Sequence, residues 1–129
     1  MRVLLDTHCW LWILTDPEKF SRRALRIVES RSNELFLSAA SAWEISIKHA
    51  LGKIKIPGRI ETVVPDLMQK TAVLPLPITH AHALRAGGLP GHHRDPFDRL
   101  LIAQAQLERL PILSADQSLE PYDVKVLAA

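Results

Sequence analysis

Asp6, Glu44, Asp98 and Asp116 each stand at or just beyond the edge of a predicted strand or helix start, and they are scattered over nearly the whole chain. Acids so far apart can share a site only if the fold gathers the ends of several elements. An open parallel α/β sheet does this at the carboxyl ends of its strands. Gathered carboxylates need a counter-charge, because two held ~4 Å apart repel by roughly 4 kcal/mol at an effective dielectric near ~20. Protons or metal ions must neutralise a group of three or four. A hard divalent ion suits such oxygens, and magnesium uses a few carboxylates while keeping waters and leaving positions for phosphate oxygens. Carboxylates, a divalent ion and nearby arginines together would serve phosphoryl chemistry, in which paired ions can stabilise both the attacking and the leaving oxygen.

Each acid also has an ordinary explanation when taken singly. Ser41-Ala42-Trp43-Glu44 matches a capping box, with Glu44 bonding back to the Ser41 backbone. In Asp95-Pro96-Phe97-Asp98, Asp95 is a good helix N-cap and Asp98 suits the first turn through the helix dipole. Asp6 and Asp116 could likewise cap the segments after them. Other chemistries fit less well. There is no Gly-x-Ser-x-Gly elbow, Cys/His signature or P-loop, and His8 occupies the place where an aspartyl phosphatase would have its second aspartate. His80, His82, His92 and His93 lie close in sequence but match no common zinc spacing.

The elements that must position these acids alternate between strand and helix. An apolar run at 2–5 reads as a short buried strand stopping at Asp6, and a helix at 7–14 is ended by Pro17. Ser21 caps a second helix with Ala24, Leu25, Ile27 and Val28 inward, and 34–37 is the second strand. A helix at 38–51 is expected to bury Trp43, Ile47, Ala50 and Leu51 on one face and to end at Gly52. Further helices are expected at 59–71, 80–86 and 95–109, and further strands at 72–76, 111–113 and 124–127. The breaker-rich segment 87–94 is expected to move. The helix from Asp95 has a wide apolar face, which implies packing against a sheet. This order predicts one α/β domain over 1–129, an α/β/α sandwich with a mostly parallel central sheet. If the first and fourth strands are neighbours, Asp6 and Asp116 project from the same sheet edge.

The chain has 129 residues, 47% of them apolar, enough for one sizeable core without disulfides or a structural metal. Its only cysteine, Cys9, reads as a small core residue, and a reducing cytoplasmic setting fits best. No apolar run is long enough to span a bilayer, and the N-terminus lacks the features of a signal peptide, so a protein without membrane contact is expected. A net charge of +2 permits a polyanionic partner without requiring one.

Four runs carry a family resemblance. They are Val3-Leu4-Leu5-Asp6-Thr7-His8, Ser41-Ala42-Trp43-Glu44-Ile45, His93-Arg94-Asp95-Pro96-Phe97-Asp98-Arg99-Leu100-Leu101-Ile102-Ala103-Gln104-Ala105, and Leu113-Ser114-Ala115-Asp116. Together they cover essentially the full length. With them the chain resembles PIN-domain proteins, and more narrowly the VapC toxins of toxin-antitoxin pairs. The third run is the specific one; Asp-Thr-His alone would be weak. The resemblance implies a PIN-like fold, RNA cleavage dependent on one or two Mg2+ or Mn2+ ions, a homodimer, and a VapB-like antitoxin that occludes the site. Asp6, Glu44, Asp98 and Asp116 match the acidic quartet of metal ligands, leaving Asp95 as the cap. His8 stands where many relatives have asparagine or serine, and Ser114 where threonine is common. On this reading Ser114 orients a water or a neighbouring carboxylate, and His93, Arg94 and Arg99 hold the RNA backbone. Side chains on the helices between Trp10 and Val28 form either core or a groove for the antitoxin or a second copy. A non-catalytic RNA-binding or protein-interaction domain and a DNA-cleaving nuclease are the alternatives.

Overall fold

The computed structural model describes residues 1–92 and 95–129. Strands and helices alternate along it. β1 (Arg2–Leu5) leads to α1 (Thr7–Thr15) and α2 (Arg22–Glu29), then β2 (Glu34–Ser38) to α3 (Ala39–Ala50) and α4 (Ile60–Lys70). β3 (Val73–Leu76) is followed by α5 (His80–Gly87) and α6 (Pro96–Glu108), and the chain ends with β4 (Ile112–Ser114) and β5 (Val126–Ala128). Every strand expected from the sequence is present, β1 with the expected ends and the others within two residues of theirs.

The strands form one sheet in the order β3-β2-β1-β4-β5, and every pairing is parallel. The chain winds outward from β1 to β3, then returns through α5 and α6 to lay β4 on the other side of β1. The strand order therefore reverses between β1 and β4. In open α/β sheets, the crevice beyond the carboxyl ends of strands at such a reversal is where ligands bind. Leu5 pairs with Leu113, and the Asp6 amide donates to the Leu113 carbonyl at 3.0 Å, so the chain segments leaving β1 and β4 start side by side.

The short strands read as continuous apolar runs because both faces of the sheet are covered. Val3, Leu5, Leu35, Leu37, Leu113 and Leu127 pack on one face with Cys9, Trp10, Ala24, Ile45 and Val64 from α1 to α4. Leu4, Phe36 and Ile112 point the other way, onto Leu101, Ile102 and Ala105 of α6. This alternation is the two-residue period of a strand expressed as two cores. The result is the expected α/β/α sandwich with a parallel sheet.

One helix, α3, buries a different face from that read off the sequence, and α6 packs its wide apolar face on the sheet as expected but with a polar exception. In α3 the buried residues are Ala40, Ser41 and Ile45, whereas Trp43, Ile47 and Leu51 are 57%, 37% and 65% exposed. The helix has apolar residues on two sides, and the small side chains of its first turn are the ones that fit close against the sheet edge. In α6, Leu107 is 37% exposed, while Gln104 is fully buried and donates through Nε2 to the Pro77 carbonyl at 3.1 Å. That bond satisfies the amide nitrogen, whereas the buried Oε1 has no hydrogen-bond partner among the described residues. Trp10 is wholly buried, its indole N–H donating to Thr71 Oγ1 at 3.2 Å, and so belongs to the core.

Leu113 has no exposed surface and sits in the pairing that builds the crevice. Leu113→Ala is expected to lower the unfolding free energy by about 2–5 kcal/mol in urea melts. Leu84→Ala, at a position 79% exposed, should stay within about 0.5 kcal/mol of the parent.

Candidate metal centre

Asp6 is the most constrained of the acids. It directly follows β1, is only 4% exposed, and acts as N-cap of α1 by accepting the Thr7 amide on Oδ1 at 2.8 Å. Its other oxygen, Oδ2, accepts the Ser114 hydroxyl at 2.6 Å. Ser114 Oγ in turn accepts the Asp116 amide at 2.9 Å, so one hydroxyl at the end of β4 links the two aspartates. His8 adds a third support. Its Nε2 accepts the Ala115 amide at 3.0 Å, which leaves the ring proton on Nδ1, 3.7 Å from Asp6 Oδ2.

Glu44 comes from the next strand's helix. The N-cap of α3 is Ser38, whose side chain accepts the Ala40 amide, so the capping box proposed for Ser41 and Glu44 does not form. Ser41 is buried and accepts the Thr7 hydroxyl at 2.8 Å, tying α1 to α3. Freed from capping, Glu44 pairs with Lys48 one turn later at 3.0 Å. On α6, Asp95 is the N-cap, accepting the amides of Phe97 and Asp98 on Oδ1 at 2.9 and 3.4 Å. Asp98 stands in the first turn behind it. Asp116 caps the short turn after β4 by accepting the Ser118 amide at 2.9 Å.

The quartet converges. Asp6, Glu44, Asp98 and Asp116 line one cavity of about 170 Å³ together with Thr7, His8, Leu11, Lys48 and Asp95. The electrostatic consequence falls on Asp98, whose carboxyl is raised from 3.8 to about 7, first by burial and then by Asp6, Asp95, Asp116 and Glu44. Among the described residues no group of three or more acidic, histidine or cysteine side chains is placed closely enough to hold a metal ion as it stands. The carboxylates share the cavity and feel one another's charge without having drawn together. An open cavity whose lining is dominated by carboxylates fits a hard ion that keeps several of its waters, and does not fit a closed zinc site.

The remaining sequence-derived candidates separate. Arg99 donates from Nε and Nη2 to the Ala86 carbonyl at 3.2 and 2.9 Å, from Nη2 to Leu89 O at 2.9 Å and from Nη1 to Pro90 O at 3.0 Å. In the structure it braces the segment between α5 and α6, and an RNA contact would have to use what donor capacity remains. His93 and Arg94 lie outside the described residues. Cys9 is buried, donates to the Leu113 carbonyl at 3.3 Å, and burial raises its thiol well above the ordinary range, which suits core packing and not nucleophilic chemistry. His82 is buried between Thr79 and Glu108, with its Nδ1 accepting the Thr79 amide at 3.0 Å and Nε2 3.0 Å from Glu108 Oε1. The supports the sequence reading missed are Lys48, Thr7 with Ser41, and the orienting role of His8. Of these only Lys48 had a local signal, its position four residues after Glu44.

The Asp98 shift has a thermodynamic corollary. Between pH 3.8 and about 7 the native state holds a proton that the unfolded chain releases, so its contribution to stability is complete at low pH and is lost as pH rises through that window. In EDTA, Asp98→Asn should therefore gain melting temperature over the parent progressively from about pH 4 to 7 and level off above it. A constant difference across that range would contradict the buried, like-charged setting of Asp98.

Comparison with known proteins agrees with this architecture. The PIN domain family model matches residues 3–125. Ribonuclease VapC16 of Mycobacterium tuberculosis (strain ATCC 25618 / H37Rv) is 46% identical over 66 residues, which are 50% of this chain and 47% of that protein. The match thus spans about half of the relative's length. Among solved structures, VapBC2 from Rickettsia felis bound to a DNA fragment from their promoter superposes with a TM-score of 0.69 at 11% identity, over 99% of this chain and 98% of that one. DNA-bound VapBC from Salmonella typhimurium gives 0.65 at 18% identity over 99% and 98%. At those identities the likeness is one of fold. With its parallel sheet, its acids gathered at the strand reversal and a family match over nearly its whole length, the chain belongs to the PIN domain family.

Proposed function

We propose that the chain is a divalent-metal-dependent endoribonuclease, acting as a single nuclease unit and as the toxin of a toxin-antitoxin pair. The observation that carries the reading is the convergence of Asp6, Glu44, Asp98 and Asp116 on one cavity at the crevice of the sheet. RNA as substrate rests on the name of the relative Ribonuclease VapC16, and an antitoxin partner on the VapBC complexes among the structural neighbours.

Asp6 and Asp98 would be the principal ligands of one or two Mg2+ or Mn2+ ions, with Glu44 and Asp116 completing the site directly or through water. A divalent ion held there supplies a Lewis acid for water and for the charge that develops on the phosphoryl and leaving oxygens. The chain's own part is orientation. Ser114 and the Thr7 amide fix both oxygens of Asp6, and Lys48 moderates the charge that Glu44 brings. Water attacking phosphorus with the 3′ oxygen leaving gives 5′-phosphate and 3′-hydroxyl ends. Because Asp98 holds its proton to about 7, metal loading competes with protonation and strengthens as pH rises through that value.

A second cavity, of about 550 Å³, adjoins the first by sharing His8 and Leu11, and continues along Trp12, Leu14, Ile56 and Leu67. A groove running into the acid site is where an antitoxin segment could bind and occlude it, and the wall from α1 agrees with the segment singled out in the sequence. Among the described residues no helix is long and apolar enough to cross a membrane. We further read the protein as a cytoplasmic homodimer.

Asp6→Asn and Asp98→Asn are each expected to abolish cleavage of labelled RNA while preserving the circular dichroism spectrum, and EDTA should do the same reversibly. Wild-type rates in either variant would sink the metal-site reading. Ser114→Ala should lower the cleavage rate by ~10–100-fold, as loss of a group orienting a metal ligand does. A DNA strand of the same sequence tests the nuclease alternative, and comparable cleavage of it would displace RNA as the specific substrate.

A further inference from the structure

The face of α3 that the core leaves uncovered is apolar and starts beside the acid cavity. Trp43 is 57% exposed, an unusual setting for the largest apolar side chain when Trp10 in the same chain is wholly buried. It precedes Glu44, and its indole meets the ring of Phe97, the residue before Asp98, edge-on at 5.1 Å between centroids and 74° between planes. The two aromatics therefore bridge α3 and α6, each one residue away along its helix from an acid that lines the cavity. A T-shaped contact covers at most one face of an indole.

An exposed, braced aromatic face next to a phosphate-processing site has a specific chemical use. Single-stranded nucleic acid is held by stacking unpaired bases on aromatic side chains while charged or metal-binding groups engage the backbone. We propose that Trp43 is the stacking platform for an unpaired nucleobase flanking the scissile phosphate, with Phe97 as its brace. Trp43 is thus a substrate-positioning residue, and the assignment rests on the RNA-cleaving reading above. It binds a π-face, so it favours single-stranded over duplex RNA and discriminates weakly among bases. A second copy of the chain is the competing occupant of this face.

The experiment compares the parent protein with Trp43→Phe and Trp43→Ala on a labelled single-stranded RNA in saturating Mg2+. It is paired with indole fluorescence titrations of Asp98→Asn and Asp98→Asn/Trp43→Phe by the same RNA. The expected result is a KM raised about tenfold in Trp43→Ala, substantially rescued in Trp43→Phe, with kcat within about twofold in both. RNA should quench the fluorescence of Asp98→Asn, and the Phe variant should lose that quenching although Trp10 and Trp12 remain. An unchanged KM in Trp43→Ala would overturn the assignment, as would quenching that persists without Trp43. Equal loss by both variants with a lowered melting temperature would make the role structural. Conversion of a dimer to monomer in light scattering with KM unaltered would assign the face to a second copy. If the parent protein cuts no RNA at all, the failure lies in the nuclease reading, because the parent never reports on Trp43.

Discussion

Carboxylates repel, and the cavity beyond β1 and β4 exists because a parallel sheet holds several of them together against that repulsion. The rest of the site depends on this constraint. Asp6 is kept in place by a hydroxyl on one oxygen and a backbone amide on the other, so its position does not depend on a cation. Glu44 is balanced by Lys48. Asp98, buried and surrounded by the charges of four other carboxylates, relieves the crowding by retaining its proton to about 7. Geometry of this kind favours positive charge, and the proton kept on Asp98 is its visible consequence.

The supports of the acids are themselves the joints of the fold. Ser114 links the end of β4 to Asp6 at the end of β1 and to the Asp116 amide, Thr7 and Ser41 tie α1 to α3, and His8 reaches the Ala115 amide. Most of these bonds cross between elements far apart in sequence. A perturbation of the sheet between β1 and β4 therefore reaches the carboxylates directly, and the geometry of the acid cavity and the central strand pairing are one structural unit. Arg99 has a comparable place, collecting the Ala86 carbonyl at the end of α5 and the Leu89 and Pro90 carbonyls of the segment that follows, and so tying α6 to them.

The order of elements was legible because it is written in local terms. Apolar runs of strand length separated by amphipathic segments long enough for crossover helices leave little choice but a parallel sheet, and Asp95-Pro96 ahead of an amphipathic run supplies the favoured N-cap and N1 residues of a helix. The sorting of Asp95 from Asp98 was legible for the same reason, since an N-cap is defined by its place relative to the helix. The wrong face assigned to α3 shows where local reading stops. Trp43, Ile47 and Leu51 have a helical spacing and so do Ala40, Ser41 and Ile45, and periodicity cannot tell which stripe meets the sheet. The stripe that won carries small residues, Ala40 and Ser41, in the first turn where the helix leaves the sheet, with Ile45 reaching the core one turn on. The capping box at Ser41 failed for a related reason, in that the helix had already begun at Ser38.

By itself the sequence determined the residue types of the site, the alternation of strand and helix, and the family, because each depends on short-range pattern or on the identity of single residues. Only the tertiary structure decided that β4 lies beside β1, that Asp6, Glu44, Asp98 and Asp116 therefore share a cavity, that Arg99 is occupied by carbonyls and that an aromatic pair stands beside the acids with Trp43 exposed. Strand order and helix facing are set by how cores close in three dimensions. The energies that choose them come from contacts between residues some hundred positions apart, as between Asp6 and Ser114.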